Sequence, residues 1–426
     1  MNTQDQYKIY TEILREELLP AMGCTEPIAI SYASSILVSA LGMRPESIMI
    51  RLSGNIIKNV KSVIVPATGG RHGIEVAIVA GLVSGRCDLG LQVLSVLGSD
   101  DEKKIDELLD SCHISIEKKS SGCSFELELI GFCDDNVATV SISGAHTNVT
   151  SVKLNGCHLT HRYKMTQVSL EDGEELDFGL LNVQDIVKFA DEVNLDRLTP
   201  YLNRQIDLNM AIAEEGLGGD WGANIGRVIL SMGDDVSRKA RAYAAAGSDA
   251  RMSGCEKAVC IISGSGNQGI TASVPVVIYA REMGKSDEEL LRALIVSDLI
   301  TIHQKTGIGT LSAYCGAISA GVGAGAGICY LHGGKFREIA HTIVNAVAIL
   351  SGTICDGAKP SCAAKIAMSV EAGIMGFEMW RTGKQFHGGD GIVTKGVENT
   401  IKNVGRLAKE GMSDTDREII EIMLGI

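Results

Sequence analysis

Apolar residues at Ile9, Ile13, Leu14 and Leu18 recur at helical spacing, so the chain is expected to open with an amphipathic helix that Pro20 stops. Thr25 is placed to cap a second helix, with Glu26 and Pro27 in its first turn, running through IAISYASSILVSAL to Gly42. Short β-type runs follow, SIMIRLS and SVIVPA, on either side of the polar sequence GNIIKN. The pattern then predicts a helix from about Gly73 to Ser84, a strand LQVLSVL and a charged helix near Asp100–Ser111. Next come HISIEKK, FELELIGF, NVATVSISG and NVTSVKLNG, which alternate apolar and polar residues between turn signals and read as an antiparallel sheet. From about Asn182 the texture changes. DIVKFADEV, PYLNRQIDLNMAIAEEGL and long Ala/Ile/Val segments with glycine punctuation read as helices to the end of the sequence. The expected class is α+β. An N-terminal α/β domain over residues 1–180, with a mixed or antiparallel sheet, carries Cys24 and the SGNIIKN segment. An all-helical domain spans residues 181–426, and the boundary is placed in the acidic stretch Glu171–Gly179.

At 426 residues the chain can build more than one core. Aromatics make up only 4% of it while glycine numbers 49, a composition that packs backbone against backbone and leaves room for small ligands. A formal charge of −13 argues against general nucleic-acid binding, which needs a basic face to displace counterions. The first residues are charged and lack the apolar core of a signal peptide. Ala258–Ala280 and Thr306–Leu331 carry no charge, but SGSGNQG interrupts the first and repeated glycine the second, so buried helices fit better than membrane spans. A cytoplasmic location is the expectation, with the twelve cysteines reduced rather than paired.

Candidate chemistry centres on cysteines at polar breaks. Cys24 lies in MGCTEP just before a predicted helix N-terminus, where orphan N–H groups and the helix dipole favour a thiolate. Cys315 in AYCGA and Cys355 in ICDGAK flank a glycine- and alanine-dense stretch and can meet only through folding. Each could equally be a small buried hydrophobe, the natural reading of Cys112, Cys133 and Cys157 beside the predicted sheet. No CxxC occurs.

GCTEPIAISYA, SGNIIKNV, DARMSG, SGSGNQGITASVPV, IGTLSAYCGA and ICDGAKPSCAAKIA together resemble the L-cysteine desulfidase family, related to the α chain of iron–sulfur L-serine dehydratases. The resemblance covers nearly the whole chain. It implies a C-terminal domain of the serine-dehydratase-α type and a [4Fe–4S] cluster held by Cys24, Cys315 and Cys355, with Cys362 in reserve. Three protein ligands leave one iron open as a Lewis acid for the leaving group. The implied reaction is β-elimination of L-cysteine to sulfide, ammonia and pyruvate without pyridoxal phosphate. A serine or threonine dehydratase, an amino-acid-binding regulator and a membrane transporter are the alternatives. The implied partner is a small amino-acid substrate, with a homodimer one option for assembly.

The remaining polar motifs are individually less specific. Ser53, Asn55, Lys58 and Asn59 of SGNIIKN suit a catalytic loop gripping a carboxylate, or form a plain strand–turn–strand. Gly69 and Gly70 of TGGRHG suit an anion-binding loop, or an exposed turn. Ser265, Asn267 and Gln268 of SGSGNQG are read as a helix break lining the cleft. Asp249 and Arg251 of DARMSG are read as an internal ion pair, and Asp356 and Lys359 as orienting groups or helix caps. The base is open among His72, His303, His332, His341, His387 and the lysines, with Lys58 the choice made here.

Overall fold

The computed structural model of the chain describes residues 3–119, 123–163, 176–309 and 311–425. Its first part runs α1 (Thr3–Glu17), β1 (Pro20–Met22), α2 (Thr25–Leu41), β2 (Ser47–Leu52), α3 (Gly54–Val60), α4 (Ile74–Ser84), α5 (Ser99–Ser111), β3 (His113–Lys118), β4 (Glu126–Cys133), β5 (Asn136–Ser143), β6 (Val149–Leu154) and β7 (Cys157–His158). After residue 176 come α6 (Val183–Glu192), α7 (Thr199–Gly218), α8 (Ile225–Leu230), α9 (Val236–Met252), β8 (Ala258–Cys260), α10 (Gly266–Glu282), α11 (Asp287–Ile308) and α12 (Gly316–Leu331). The helices α13 (Phe336–Ile349), α14 (Cys362–Arg381), α15 (Val397–Arg406) and α16 (Ser413–Leu424) complete it. The class is α+β, with a sheet in the N-terminal part and helices beyond. Residues 171–175 of the expected boundary lie outside the described residues.

The sheet has the order β3-β2-β4-β5-β6-β7. β4, β5 and β6 pair antiparallel as their alternation requires, with Leu127, Leu129, Val140, Ile142 and Val152 turned into the core. HISIEKK departs from the expected antiparallel set. As β3 it pairs, among the described residues, only with β2, and in parallel, because α4 and α5 carry the chain back to the same end of the sheet. α2 packs on the sheet's inner face and α4 packs on α2.

Two further expectations are corrected. SGNIIKN is neither loop nor turn: it folds as α3 with Ser53 at its N-cap. Ile56 and Val60, one helical turn apart, are fully buried, and that apolar pair selects the helix. SVIVPA then forms no strand, only a bridge between Ile64 and His72. LQVLSVL is not a strand either. Gly90 turns the chain at φ 53 and the segment runs on in tight turns, which bury Leu91, Val93 and Leu94 without extended backbone.

In the helical part, glycine decides how closely elements approach. A β-carbon on Gly321 of α12 would overlap the Ser369 carbonyl of α14, and one on Gly373 of α14 would overlap the Gly321 carbonyl. The two backbones therefore meet without intervening side chains. Among the described residues no helix is long and apolar enough to cross a membrane. SGSGNQG does not break a helix: Ser263–Ser265 form the turn between β8 and α10, closed by a bridge from Ile262 to Ser265, and Gly266–Gly269 are the first turn of α10. β8 pairs antiparallel with β1, placing the segment before Cys24 beside the segment before Ser265.

Candidate active site

Four helices begin at one cavity. Cys24, Ser265, Cys315 and Ser361 are the N-cap residues of α2, α10, α12 and α14, and none of these side chains accepts a capping bond from a backbone N–H of the turn it precedes. Cys24, Ser265 and Cys315 line the cavity, together with Cys362 at the first position of α14. Each start leaves N–H groups without helical partners and a positive dipole end, so the cavity favours anionic groups.

Cys315 and Cys355 come together through one antiparallel bridge, Tyr314 to Ile354. The Cys315 amide donates to Thr353 O at 2.9 Å and the Cys355 amide to Ala313 O at 2.6 Å. The two thiols hydrogen-bond each other. That bond lowers the Cys355 thiol against the effect of burial, with the Lys58 ammonium assisting, and the same bond, with burial, raises Cys315. Cys24 enters from the other wall, in a small apolar cluster that also holds Cys362. Burial raises the Cys24 thiol, and Glu26 adds to it.

Glu26 organises this wall. Its carboxylate accepts from the Cys24 thiol at 3.1 Å and from Asn59 Nδ2 at 3.1 Å, and His146 Nε2 stands 3.7 Å away. Burial works to raise the Glu26 carboxyl, but His146 and Cys24 overcome it and hold the group down at about 2. His146 comes from the β5–β6 turn, packs on Phe125 with ring centroids 4.5 Å apart, and has no hydrogen-bond partner at Nε2 among the described residues. Nothing in its local sequence sets it apart; only the sheet carries it here. Gly264 makes room for it, since a β-carbon there would lie 2.9 Å from the ring.

Two buried cations complete the lining. Arg251 does not pair with Asp249, because residues two apart on a helix point to different sides. Asp249 instead accepts from the Ile225 amide at 2.7 Å, whereas Arg251 Nε donates to Gly23 O at 3.0 Å and its Nη2 has no partner among the described residues. Lys305, from the last turn of α11, is buried, and burial pulls its pKa down. The polar ends of Asn267 and Gln268 also face the cavity, with Oδ1 and Oε1 unpartnered among the described residues.

The other expected residues fall elsewhere. Asn55 and Lys58 turn away and hold Asp416 of α16, at 2.8 and 2.6 Å. Lys58 is therefore an ion-paired ammonium close enough to bias Cys355, not a free base. Ser53 caps α3 and donates to Ser124 O at 2.9 Å. Gly69 and Gly70 are exposed and outside the cavity, in a loop that Arg71 ties to Asp106 at 2.7 Å. Asp356 pairs with Lys359 and with Lys365. Of the histidines considered, His303 holds Glu398 at 2.7 Å and His332 bonds Ile328 O, and none of the five lines the cavity.

Residues 88–421 match the sequence profile of the family described as serine dehydratase alpha chain. A UPF0597 protein of Desulfitobacterium hafniense (strain Y51) is 50% identical over 426 residues, covering 100% of this chain and 98% of the relative. A UPF0597 protein of Finegoldia magna is 44% identical over 420 residues (98% and 99% of the two chains), and one of Bacteroides fragilis 36% identical over 428 residues (99% of each). The chain belongs to the serine dehydratase alpha chain family. Cys315, Cys355, Arg251 and Lys305 lie within the matched stretch of this family, whereas Cys24, Glu26 and Asn59 precede it.

Among the described residues no three Cys, His, Asp or Glu groups are gathered tightly enough to hold a single metal ion. Three or four thiols spaced around a cavity are the donor set of a larger body whose irons each take one sulfur. With four helix starts and two cations to balance thiolate charge, Cys24, Cys315 and Cys355 could hold an iron–sulfur cluster.

Proposed function

We propose that the chain is an iron–sulfur lyase acting on L-cysteine: with one water, the amino acid gives pyruvate, ammonia and hydrogen sulfide, with no net redox change and no pyridoxal phosphate. The observation that carries this reading is the meeting of Cys24, Cys315 and Cys355 in one cavity that also contains His146, Arg251 and Lys305. When bound, a cluster on those thiols supplies an open iron, a Lewis acid for the sulfur that leaves the β-carbon.

The chain's own residues supply the rest. His146, whose Nε2 faces the Glu26 carboxylate at 3.7 Å, is the group we assign to accept the Cα proton, at its other ring nitrogen. Glu26 orients it and fixes Cys24 through the thiol. Asn59 holds Glu26 in place from α3. Elimination then leaves an aminoacrylate that water converts to pyruvate and ammonia. L-cysteine as substrate, rather than L-serine, is supported by the motifs around Cys24, Cys315 and Cys355; the serine dehydratase description of the family favours L-serine or L-threonine as the second reading.

The test is anaerobic reconstitution with iron and sulfide, followed by assay of sulfide and pyruvate from L-cysteine and of pyruvate from L-serine. Wild type should take up iron and release sulfide, and Cys24→Ala, Cys315→Ala and Cys355→Ala should do neither. Iron uptake with turnover of L-serine alone would replace desulfidation by dehydration. Failure to take up iron under any anaerobic condition would sink both and leave an amino-acid-binding role.

A further inference from the structure

We infer that Arg251 and Lys305 together seat the α-carboxylate of the substrate, a role resting on the amino-acid lyase reading above. Arg251 is 2% exposed, anchored through Nε to Gly23 O at 3.0 Å, and its Nη2 is left without a partner in the cavity wall. A buried guanidinium N–H left open is costly unless a ligand completes it. Lys305 is 6% exposed, and among the described residues no hydrogen bond or ion pair reaches its ammonium. Two cations without an ion-pair partner among the described residues thus face one cavity, where the α10 start adds uncapped N–H groups.

The same cavity offers complementary acceptors. Asn267 Oδ1 and Gln268 Oε1 are buried and unpartnered among the described residues, and Gln268 lies flat against the start of α12 because position 316 is glycine. Unpaired cations and unpaired amide oxygens in one small space match a zwitterion. The carboxylate goes to Arg251 and Lys305, the α-ammonium to the amide oxygens, and the side chain is left toward the cysteines. A neutral thiol or simple amine would leave the two cations unmet. The competing role for them is charge balance for the thiolates, and the two roles separate experimentally.

Three probes of one size distinguish them, applied to the anaerobically reconstituted protein: L-alanine, which keeps carboxylate and ammonium, ethylamine, which lacks the carboxylate, and propionate, which lacks the ammonium. By calorimetry L-alanine should bind, propionate should bind more weakly, and ethylamine should not bind. In Arg251→Gln and Lys305→Met the L-alanine affinity should fall tenfold or more, with iron content and visible absorbance unchanged. Arg251→Lys and Lys305→Arg, which keep the charge and guard against a folding defect, should retain part of it. The KM for L-cysteine should rise more than kcat falls. Variants that bind L-alanine like wild type, or that lose iron while their far-ultraviolet circular dichroism is intact, would overturn the assignment in favour of charge balance. If L-alanine binds as described but no amino acid is turned over, the carboxylate seat stands and the lyase reading falls. If L-cysteine is turned over with unchanged KM in both variants, the reverse holds.

Discussion

Tyr314 and Ile354 form an isolated antiparallel bridge, and through it Cys315 lies against Cys355 although 40 positions separate them in sequence. The bridge consists of backbone hydrogen bonds alone, from the Cys315 and Cys355 amides to Thr353 O and Ala313 O. Tyr314 is 2% exposed and anchors one side in the core, whereas Ile354 is 49% exposed. The pairing therefore depends on how α12 and α14 are set, not on the sequence around either cysteine.

Cys362 tests the ligand assignment. It shares an apolar cluster with Cys24, and its thiol is 3.7 Å from Gly357 O. Cys362→Ser should keep the iron content and absorbance of wild type, measured anaerobically. Loss of iron comparable to that of Cys24→Ser would place Cys362 among the ligands and close the cluster.

His146→Gln should lower kcat by about 10²–10⁴-fold, the usual worth of a general base. Iron content should not change, since the ring contacts Phe125 and Glu26 rather than a cavity thiol. A variant with near-normal turnover would rule His146 out as the base.

Lys58 and Asp416 lock α16 onto α3. Asp416→Ala leaves the Lys58 ammonium, 1% exposed, without its counter-ion and should cost about 2–5 kcal/mol in urea denaturation. Adding Lys58→Met should recover most of that loss. A double variant as unstable as the single one would mean that the pair's charge was not the cause.

The close approach of α12 and α14 makes Gly321→Ala a sharp probe. The added methyl meets the Ser369 carbonyl, a backbone atom that cannot rotate away, so at least about 1–3 kcal/mol should be lost. Because Cys315 caps the same α12, iron uptake should fall too. An unchanged urea midpoint would show that the helices can part without penalty.

Asp298 gives the expected pH dependence. It is fully buried on α11, accepts from Gln205 Nε2 at 3.0 Å, and burial pushes its pKa up to about 7, with that bond only partly offsetting the rise. Between the unfolded value near 4 and about 7 the folded state binds the extra proton, so stability falls as pH rises through that window. Asp298→Asn should flatten the pH profile of thermal unfolding and raise the midpoint at neutral pH. An unaltered profile would locate the dependence in another group.

Much of the fold was legible where period and punctuation agree. α1 follows its apolar spacing, whereas α2 and α4, buried on nearly every side, are set off by punctuation: Gly42 ends α2 in the left-handed conformation glycine favours. SGNIIKN misled because seven residues are too short for periodicity to separate a helical turn from a hairpin, and only the burial of Ile56 and Val60 decides it. The parallel pairing of β3 depends on a crossover that alternation does not encode. In the site, Cys24, Cys315, Asn267 and Gln268 were visible because each stands at a polar break that becomes a helix start. His146 and Lys305 were not, since a histidine in a hairpin turn and a lysine in a helix look ordinary until the sheet and α11 bring them to the cavity. Arg251 was read with the wrong partner because proximity in sequence was taken for proximity on the helix.

The pairing of β1 with β8 also sets a timetable for synthesis. Cys24 leaves the ribosome well before the strand that fixes its approach, which ends at residue 260, and Cys355 is about 330 residues downstream. At roughly 5–20 residues per second, close to a minute or less passes before all the cavity's walls exist. During that interval α2 is covered by the sheet, α3, α4 and the turns at residues 87–92. A product that stops short of Ile366 lacks part of the lining, so whatever fills the completed cavity arrives after that residue is made.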